Sequence, residues 1–269
     1  MKRDTLMQEL WAEFFGTVIL IIFGCGVVAN VIYAPRLNGF GIFKTGAGYD
    51  WNTINVGWAF AVTMAVYVAG GITGAHLNPA VTLAAVLRRG MSFGKAVGYW
   101  IAQVLGAFVG AFLIYQIYLG NFIKDGYMNI FYTGAANDAY SIGNSIFVEI
   151  MGTFFLVLFI YAIVDNVYNL GPAGNMWPLL VGFAVYSIGL SLGGPTGYAI
   201  NPARDFGPRL FAAMIGDQGA FAGSYWFMVP IIGPLIGGSL GAYAYDFLIS
   251  PFLPKKMEES LKSDKSMKA

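Results

Sequence analysis

The residues with the clearest chemical meaning lie in two short stretches, 74–80 and 197–204, that each contain Asn-Pro-Ala. Asn is a favoured residue just before a helix, because its side-chain oxygen accepts hydrogen bonds from the N–H groups of the first turn. Pro suits the next position, where no N–H is needed and φ is already helical. Each stretch therefore predicts irregular backbone that turns abruptly into a helix. The triplets are Asn78, Pro79, Ala80 and Asn201, Pro202, Ala203.

The backbone before each Asn is expected to supply a row of carbonyl acceptors. Both stretches lie between long apolar segments, and irregular backbone at membrane depth is tolerated only where it is buried in protein or lines a watery cavity. With the side-chain oxygens of Asn78 and Asn201 used in capping, their NH₂ groups should stay free to donate into that cavity. Such a path suits a neutral hydroxylated solute. The expected carbonyl residues are Gly74, Ala75, His76, Gly197, Tyr198 and Ala199.

The composition indicates a membrane protein. Of 269 residues, 57% are hydrophobic and 11% are charged, with a mean hydropathy of +0.64. Soluble domains carry about 25% charged residues. The net charge of +1 provides no basic field for nucleic acid, so no nucleic-acid partner is expected. The single cysteine, Cys25, allows no internal disulfide.

The chain contains six apolar segments and an internal repeat. A membrane span needs about 20 mostly apolar residues. Glu13 and Glu149 occupy equivalent places near the start of each half, and one Asn-Pro-Ala triplet follows each. Because each half holds three spans, the second half must enter from the opposite side, which predicts an inverted repeat. We expect one channel domain over 1–250, with repeats at about 8–118 and 144–248 and a flexible cytoplasmic tail over 251–269. The predicted spans are 10–32, 56–71, 96–117, 146–164, 177–192 and 225–248.

The distribution of positive charge predicts the orientation. Two long segments, 33–55 and 118–144, are expected to form ordered surface loops without helices on one side of the membrane. That side carries few basic residues. By the positive-inside rule, the richer side is cytoplasmic and both termini lie there. The cytoplasmic set is Lys2, Arg3, Arg88, Arg89, Lys95 and the tail lysines, and the other side has Arg36, Lys44, Lys124 and Arg209.

The helices after the two triplets are predicted to be half-length. The ten residues or so from Asn78 to Arg88 make about 15 Å of helix, half of a bilayer core. In an inverted repeat the two half-helices enter from opposite faces, and their N-termini, each with about half a positive charge, meet near the midplane. Glu13 and Glu149 stand inside apolar spans, where carboxylates are expensive. We interpret each as an acceptor for N–H groups of the loop in its own half.

With twin Asn-Pro-Ala motifs, Arg204 after the second and a Glu in spans one and four, the chain closely resembles the major intrinsic protein family over about residues 9–248. This family contains the aquaporins and glycerol facilitators. The resemblance implies an all-α membrane protein with an aquaporin-like fold: a right-handed bundle of six transmembrane helices plus two re-entrant half-helices. It also implies a homotetramer with one pore per subunit. In such pores an Arg and the half-helix dipoles exclude protons and cations.

The resemblance further implies a selectivity filter formed by Trp58, Gly189, Tyr198 and Arg204. Strict water channels of the family typically have His at the position of Gly189 and a smaller residue at that of Tyr198. Trp58 and Tyr198 form an aromatic corner that can face the carbon backbone of a solute, while Arg204 donates to its hydroxyls. Asp205 is typical of glycerol-conducting members, and we expect it to complement its helix N-terminus and orient Arg204. Tyr198 departs from the Phe usual in bacterial glycerol channels, so its hydroxyl either narrows the filter or adds a donor.

The sequence therefore predicts a passive channel for glycerol and other small neutral solutes, with water, in a bacterial inner membrane. Dihydroxyacetone, urea, lactic acid and hydrogen peroxide are not ranked against glycerol, and no cofactor or metal is expected. A water-selective channel is the near alternative. A secondary transporter is disfavoured because no intramembrane ion site is evident beyond Glu13 and Glu149, and an enzyme because no nucleophile–base pair or metal-ligand cluster lies near the midplane. A purely structural role is disfavoured, because burying the charge of Arg204 beside two helix N-termini costs free energy and would then serve no function.

Overall fold

The computed structural model describes residues 5–37, 50–126, 128–165 and 172–253, and every regular element in these ranges is helical. Five helices are long and apolar enough to cross a membrane. A sixth apolar helix is shorter, with 16 residues. The prediction of six apolar helices and two half-helices is confirmed. The five long helices are α1 (Leu6–Leu37), α2 (Trp51–Thr73), α4 (Phe93–Ile117), α6 (Ile142–Ile163) and α9 (Tyr225–Phe252), and the sixth is α7 (Trp177–Leu192). The half-helices are α3 (Pro79–Arg88) and α8 (Pro202–Met214). A short helix, α5 (Leu119–Asp125), lies in a connection.

The helices pack as two interlocked halves. In the first half α1 packs against α2 and α4, and in the second half α6 packs against α7 and α9. The contact between α2 and α7 joins the halves. Each half-helix crosses over to the other half, because α3 packs against α9 and α8 packs against α4. The site between the half-helices is therefore enclosed by both halves.

Glycines at equivalent places let the long helices touch backbone to backbone. A Cβ on Gly106 of α4 would overlap the carbonyl oxygen of Phe14 on α1. A Cβ on Gly237 of α9 would overlap the carbonyl oxygen of Ile150 on α6. Small residues allow close approach of helices in lipid, where burial of apolar surface gives no driving force between them.

The basic residues around α3 are paired. Arg88 donates to Asp246 at 2.7 Å and Arg89 donates to the same carboxylate at 2.8 Å. Lys95 at the start of α4 lies 2.6 Å from Glu9. Arg88 stands in the last turn of α3, where the helix dipole favours a cation. The two arginines thus fasten the C-terminal end of the first half-helix to the end of α9, and Lys95 fastens the start of α4 to the start of α1.

The loop predictions were wrong in two places. The segment 118–144 contains α5 and a 3₁₀ turn, Met128–Ile130, where no helix was expected. Phe131 and Thr133 of the same segment are buried, not on the surface. In 33–55, α1 continues to Leu37 and α2 begins at Trp51 after the capping residue Asp50, and residues 38–49 lie outside the described residues. Most of the predicted tail, 254–269, also lies outside them.

Candidate functional site

The two Asn residues cap the half-helices. The side-chain oxygen of Asn78 accepts from the N–H of Ala80 at 2.8 Å. The side-chain oxygen of Asn201 accepts from the N–H groups of Ala203 at 3.0 Å and Arg204 at 3.2 Å. Both Asn residues have extended backbone and Pro follows each, so the half-helices begin where the sequence predicted.

The Asn side chains also link the two halves, which the sequence analysis did not anticipate. The Nδ2 group of Asn78 donates to the carbonyl oxygen of Ile200 at 2.8 Å. The Nδ2 group of Asn201 donates to the carbonyl oxygen of Leu77 at 2.7 Å. The expectation that both NH₂ groups stay free was therefore wrong for one hydrogen of each. An amide NH₂ has two donors, so one hydrogen per Asn is left for a solute.

The backbone before each half-helix adopts an unusual conformation. Positive φ angles occur at Ala75 (51°) and Leu77 (49°) in the first half, and at Tyr198 (37°) and Ile200 (42°) in the second. A non-glycine residue in this region costs about 1–3 kcal/mol. The surrounding structure must hold both loops in place.

Glu13 and Glu149 hold these loops. Glu13 accepts from the N–H groups of His76 at 3.0 Å and Leu77 at 2.7 Å. Glu149 accepts from the N–H groups of Ala199 at 2.9 Å and Ile200 at 2.7 Å. Both carboxylates are fully buried, and each also accepts from a threonine hydroxyl just before its loop. The two carboxylates thus serve the same purpose in the two halves.

The first half carries an additional polar contact. Gln103 of α4 donates to Glu13 at 2.8 Å and to the hydroxyl of Thr82 at 3.0 Å. The same hydroxyl lies 3.1 Å from Nδ1 of His76, which fixes the ring of this histidine. The second half has Pro230 at the position that corresponds to Gln103 in the repeat, so it lacks this donor.

A narrow cavity of about 70 Å³ runs through the junction of the half-helices. A second cavity, of about 410 Å³, shares Ala75 and His76 with it and continues to Arg89 and Tyr161. Of the expected carbonyl residues, Gly74 lines only the second cavity, and Gly197 is absent from both linings. The first cavity is lined on its apolar side by Leu20, Val62, Val66, Val81, Leu156, Ile160, Val181 and Val185, and on its polar side by Trp58, Ala75, His76, Leu77, Asn78, Tyr198, Ala199, Ile200, Asn201 and Arg204.

Three of the four expected filter residues meet at one end of the first cavity. The guanidinium carbon of Arg204 lies 4.3 Å from the ring centre of Trp58. Arg204 also donates to the carbonyl oxygen of Phe131, at 3.4 Å. Tyr198 contributes its ring, which Trp51 contacts edge to face at 5.7 Å. Arg204 therefore stands beside one aromatic ring, that of Trp58, and Tyr198 lines the same cavity.

The structure places Gly189, the fourth residue, behind Tyr198. It is absent from the linings of the two cavities. A Cβ at this position would lie 2.9 Å from Cζ of Tyr198 and would overlap the side-chain oxygen of Asn55. Gly189 therefore shapes the cavity indirectly, by leaving room for these two side chains.

Asp205 acts through a loop and does not contact Arg204 directly. It accepts from the N–H of Thr133 at 2.8 Å and from the hydroxyl of Thr133 at 2.6 Å. It also forms a buried ion pair with Arg209, with Nε 2.7 Å from Oδ1. Phe131, whose carbonyl oxygen receives Arg204, lies two residues before Thr133. Asp205 thus orients Arg204 by holding the loop that bears this acceptor.

Arg209, which the sequence analysis counted among the charges of the side with the long loops, is a buried residue of α8. Its side chain donates to the carbonyl oxygens of Ala220 and Thr133, both at 2.7 Å. Its guanidinium carbon lies 4.0 Å from the ring centre of Tyr132. Burial and the hydrogen bond to Asp217 raise the pKa of the Tyr132 hydroxyl, which keeps this phenol neutral beside the cation.

Sequence reasoning missed four residues of the site. Gln103 and Asn55 could have been found from the sequence, because each is an amide in or next to an apolar span. Both are fully buried in the structure. Phe131 and Thr133 gave none, since they act mainly through backbone groups. Among the described residues, no group of three or more His, Cys, Asp or Glu side chains could hold a metal ion.

Apolar helices arranged as two interlocked halves, half-helices that meet at their N-termini and a cavity between them define a membrane channel built as an inverted repeat. The chain belongs to the major intrinsic protein family, whose family model matches residues 1–245.

Several relatives are similar over nearly the whole chain. A probable glycerol uptake facilitator protein of Thermotoga maritima is 46% identical over 247 residues, which cover 90% of this chain and 100% of the relative. The glycerol uptake facilitator protein of Bacillus subtilis is 40% identical over 89% of this chain and 84% of the relative. The X-ray structure of the aquaglyceroporin from Plasmodium falciparum superposes with a TM-score of 0.81 and 30% identity, and covers 93% of this chain and 99% of that one.

Proposed function

We propose that this protein is a passive channel for glycerol and other small neutral solutes, that water also passes, and that ions and protons are excluded. The observation that carries the proposal is the placement of Arg204 beside the ring of Trp58 in a cavity that Tyr198 also lines. An arginine offers several donors and no acceptor. A solute with hydroxyls along one edge and carbon along the other matches both sides of this site.

The rest of the cavity has the same two-sided character. Valine, leucine and isoleucine side chains form one wall, and the loop residues around Asn78 and Asn201 form the other. A polyol can exchange water for donors and acceptors on one wall while its carbons face the other. The glycerol uptake facilitators named above agree with this substrate class.

Exclusion of cations follows from charge. Both half-helix N-termini point at the junction, and each carries about half a positive charge. Arg204 adds a full positive charge nearby, and in pores of this kind such charges oppose cations and protons. Glu13 and Glu149 carry negative charge nearby, but neither lines the cavity, and each carboxylate accepts hydrogen bonds from its own loop.

Location and assembly complete the proposal. Large apolar side chains such as Phe15, Phe60 and Phe147 are exposed on the outside of the protein, as expected in a cell membrane. Arg88, Arg89 and Lys95 share one end of the bundle, which we assign to the cytoplasm together with both termini. We propose a homotetramer in a bacterial inner membrane, with dihydroxyacetone, urea, lactic acid and hydrogen peroxide as further candidate solutes.

Stopped-flow light scattering on proteoliposomes tests the function. The vesicles are shrunk with glycerol and, separately, with a sugar that does not permeate, and empty vesicles are the control. We expect fast shrinkage in both, followed by fast reswelling in glycerol only. Fast shrinkage without reswelling would show a water channel. Flux that depends on a proton or Na⁺ gradient would show a transporter.

A further inference from the structure

Two buried polar atoms next to the filter have no hydrogen-bond partner among the described residues: the hydroxyl of Tyr198 and the side-chain oxygen of Asn55. The Asn55 side chain is fully buried and that of Tyr198 is 5% exposed. Buried polar atoms in folded proteins are nearly always paired, so each unpaired one calls for an explanation. The two atoms are complementary, because a phenol donates and a carboxamide oxygen accepts.

Both atoms belong to the same small space. Gly189 has no Cβ, and the position that a Cβ would take lies 2.9 Å from Cζ of Tyr198 and overlaps the side-chain oxygen of Asn55. The orientation of the amide is fixed, because Nδ2 of Asn55 donates to the carbonyl oxygen of Trp51 at 2.8 Å. The oxygen of the amide is therefore the atom left for Tyr198.

Trp51 closes this space from the other side. Its indole N–H donates to the carbonyl oxygen of Gly189 at 3.3 Å, and its ring meets Tyr198 edge to face. The first turn of α2 and the last part of α7 thus form a socket for the Tyr198 ring.

We propose that Asn55 is a specificity-determining residue that positions Tyr198. The two atoms form no direct hydrogen bond in this structure, and a small movement of the ring within the socket beside Gly189 brings the Tyr198 hydroxyl to the carboxamide oxygen, a contact that holds the ring against the cavity wall. Asn55 is absent from the lining of the cavity, so it acts on the solute only through Tyr198. The inference rests on the function proposed above, since it explains how the site lets a solute with a carbon backbone pass although the bulky Tyr198 stands in the filter.

Removal of the acceptor should turn the ring toward the lumen. A buried hydroxyl that loses its partner is costly, and the Tyr198 hydroxyl can regain one by pointing at water in the cavity. The lumen would then narrow, and glycerol, which is wider than water, would be hindered more. A Phe at position 198 has no hydroxyl to satisfy, so the same change at Asn55 should matter little there.

A double-mutant cycle tests this. Asn55→Leu keeps the branched shape and the number of heavy atoms of the side chain and removes the acceptor together with the amide donor, and it is made alone and together with Tyr198→Phe. The ratio of glycerol to water permeability is measured in proteoliposomes. Thr63→Ala is the matched control, because Thr63 is also a buried polar residue of α2 that packs against α7 at Gly182 and bonds the carbonyl oxygen of Ala59.

The expected result is a change that depends on the hydroxyl. With Tyr198 present, Asn55→Leu should lower the ratio of glycerol to water permeability by about fivefold or more. This factor corresponds to the lower end of the free-energy cost of leaving one buried hydroxyl without a partner. With Tyr198→Phe, adding Asn55→Leu should change the ratio by less than about twofold, the usual limit for sites that do not interact. Thr63→Ala should change it by less than about twofold in both backgrounds.

An equal loss in the two backgrounds would overturn the inference, because Asn55 would then act through packing alone. If Asn55→Leu yields no folded protein, Asn55→Ala is measured and judged by the same criterion. Failure of the proposed function is a separate outcome. If the wild-type protein passes water without glycerol, water permeability becomes the quantity measured in the double-mutant cycle. Asn55→Leu is then expected to lower water permeability when Tyr198 is present and to have little effect in Tyr198→Phe.

Discussion

Asp205 accepts a hydrogen bond from the backbone N–H of Thr133 at 2.8 Å, across 72 residues of sequence. The second half-helix thereby holds the loop whose carbonyl oxygen, at Phe131, receives Arg204. The charge of the filter and the acidic residue next to it in the chain are thus coupled through a third segment. The position of Arg204 consequently depends on the anchoring of that loop.

The first prediction concerns this anchor. Asp205→Asn removes the carboxylate that pairs with buried Arg209, and breaking a buried ion pair costs about 3–5 kcal/mol. We expect a clear fall in the thermal unfolding midpoint in detergent. Asp246→Asn is the comparison, because its partners Arg88 and Arg89 are more exposed and its loss should cost less. Equal shifts in the two variants would contradict the role given to Asp205.

The second prediction concerns the loop supports. Glu149 accepts from two backbone N–H groups and from the hydroxyl of Thr196. In Glu149→Gln, an amide NH₂ replaces one acceptor oxygen and faces a donor, and the loss should be about 2 kcal/mol or more. We expect reduced stability and reduced solute flux, measured by thermal unfolding and stopped flow. Glu9→Gln, at a partly exposed ion pair with Lys95, is the control and should have a smaller effect. Flux and stability at wild-type levels would remove Glu149 from the architecture of the loop.

The third prediction concerns charge in the filter. Arg204 lines the cavity, and at an effective dielectric constant of about 20 a unit charge contributes about 2 kcal/mol or more to the barrier for a cation at separations up to about 8 Å. Arg204→Val should therefore raise proton leakage by roughly thirtyfold. A pH-sensitive dye inside proteoliposomes under a pH gradient measures the leak. Arg204→Lys keeps the charge and should stay tight. If Arg204→Val is as tight as wild type with the same solute selectivity, Arg204 has no part in exclusion.

The parts of the fold that the sequence predicted are those governed by local rules. An Asn followed by Pro favours the start of a helix through local geometry, and both half-helices begin at Asn78 and Asn201 as expected. Span length depends on the thickness of the bilayer. The buried carboxylate of Glu149 could be interpreted because the loop of its own half supplies donors nearby.

The parts that were not predicted depend on contacts between distant segments. The cross-link from Asn78 to Ile200 exists only because the halves meet, and no pattern around Asn78 encodes it. Arg209 was counted with the charges of the long-loop side because the sequence does not show that Asp205 is its partner. Asp205 was interpreted only in relation to Arg204, its neighbour in the chain. A glycine such as Gly189 does not reveal which side chains occupy the space it leaves.

The last prediction follows from that space. In Gly189→Ala, the methyl group would overlap the side-chain oxygen of Asn55 and press on Cζ of Tyr198, 2.9 Å away. Overpacking of this kind costs about 1–3 kcal/mol, and the ring of Tyr198 can relieve it by moving into the lumen. Glycerol permeability should therefore fall more than water permeability, and Gly189→His should act in the same direction more strongly. Gly194→Ala is the matched control, because a Cβ there meets no atom within 4 Å. If Gly189→Ala and Gly194→Ala give the same glycerol flux in stopped-flow measurements, Gly189 does not control the width of the filter.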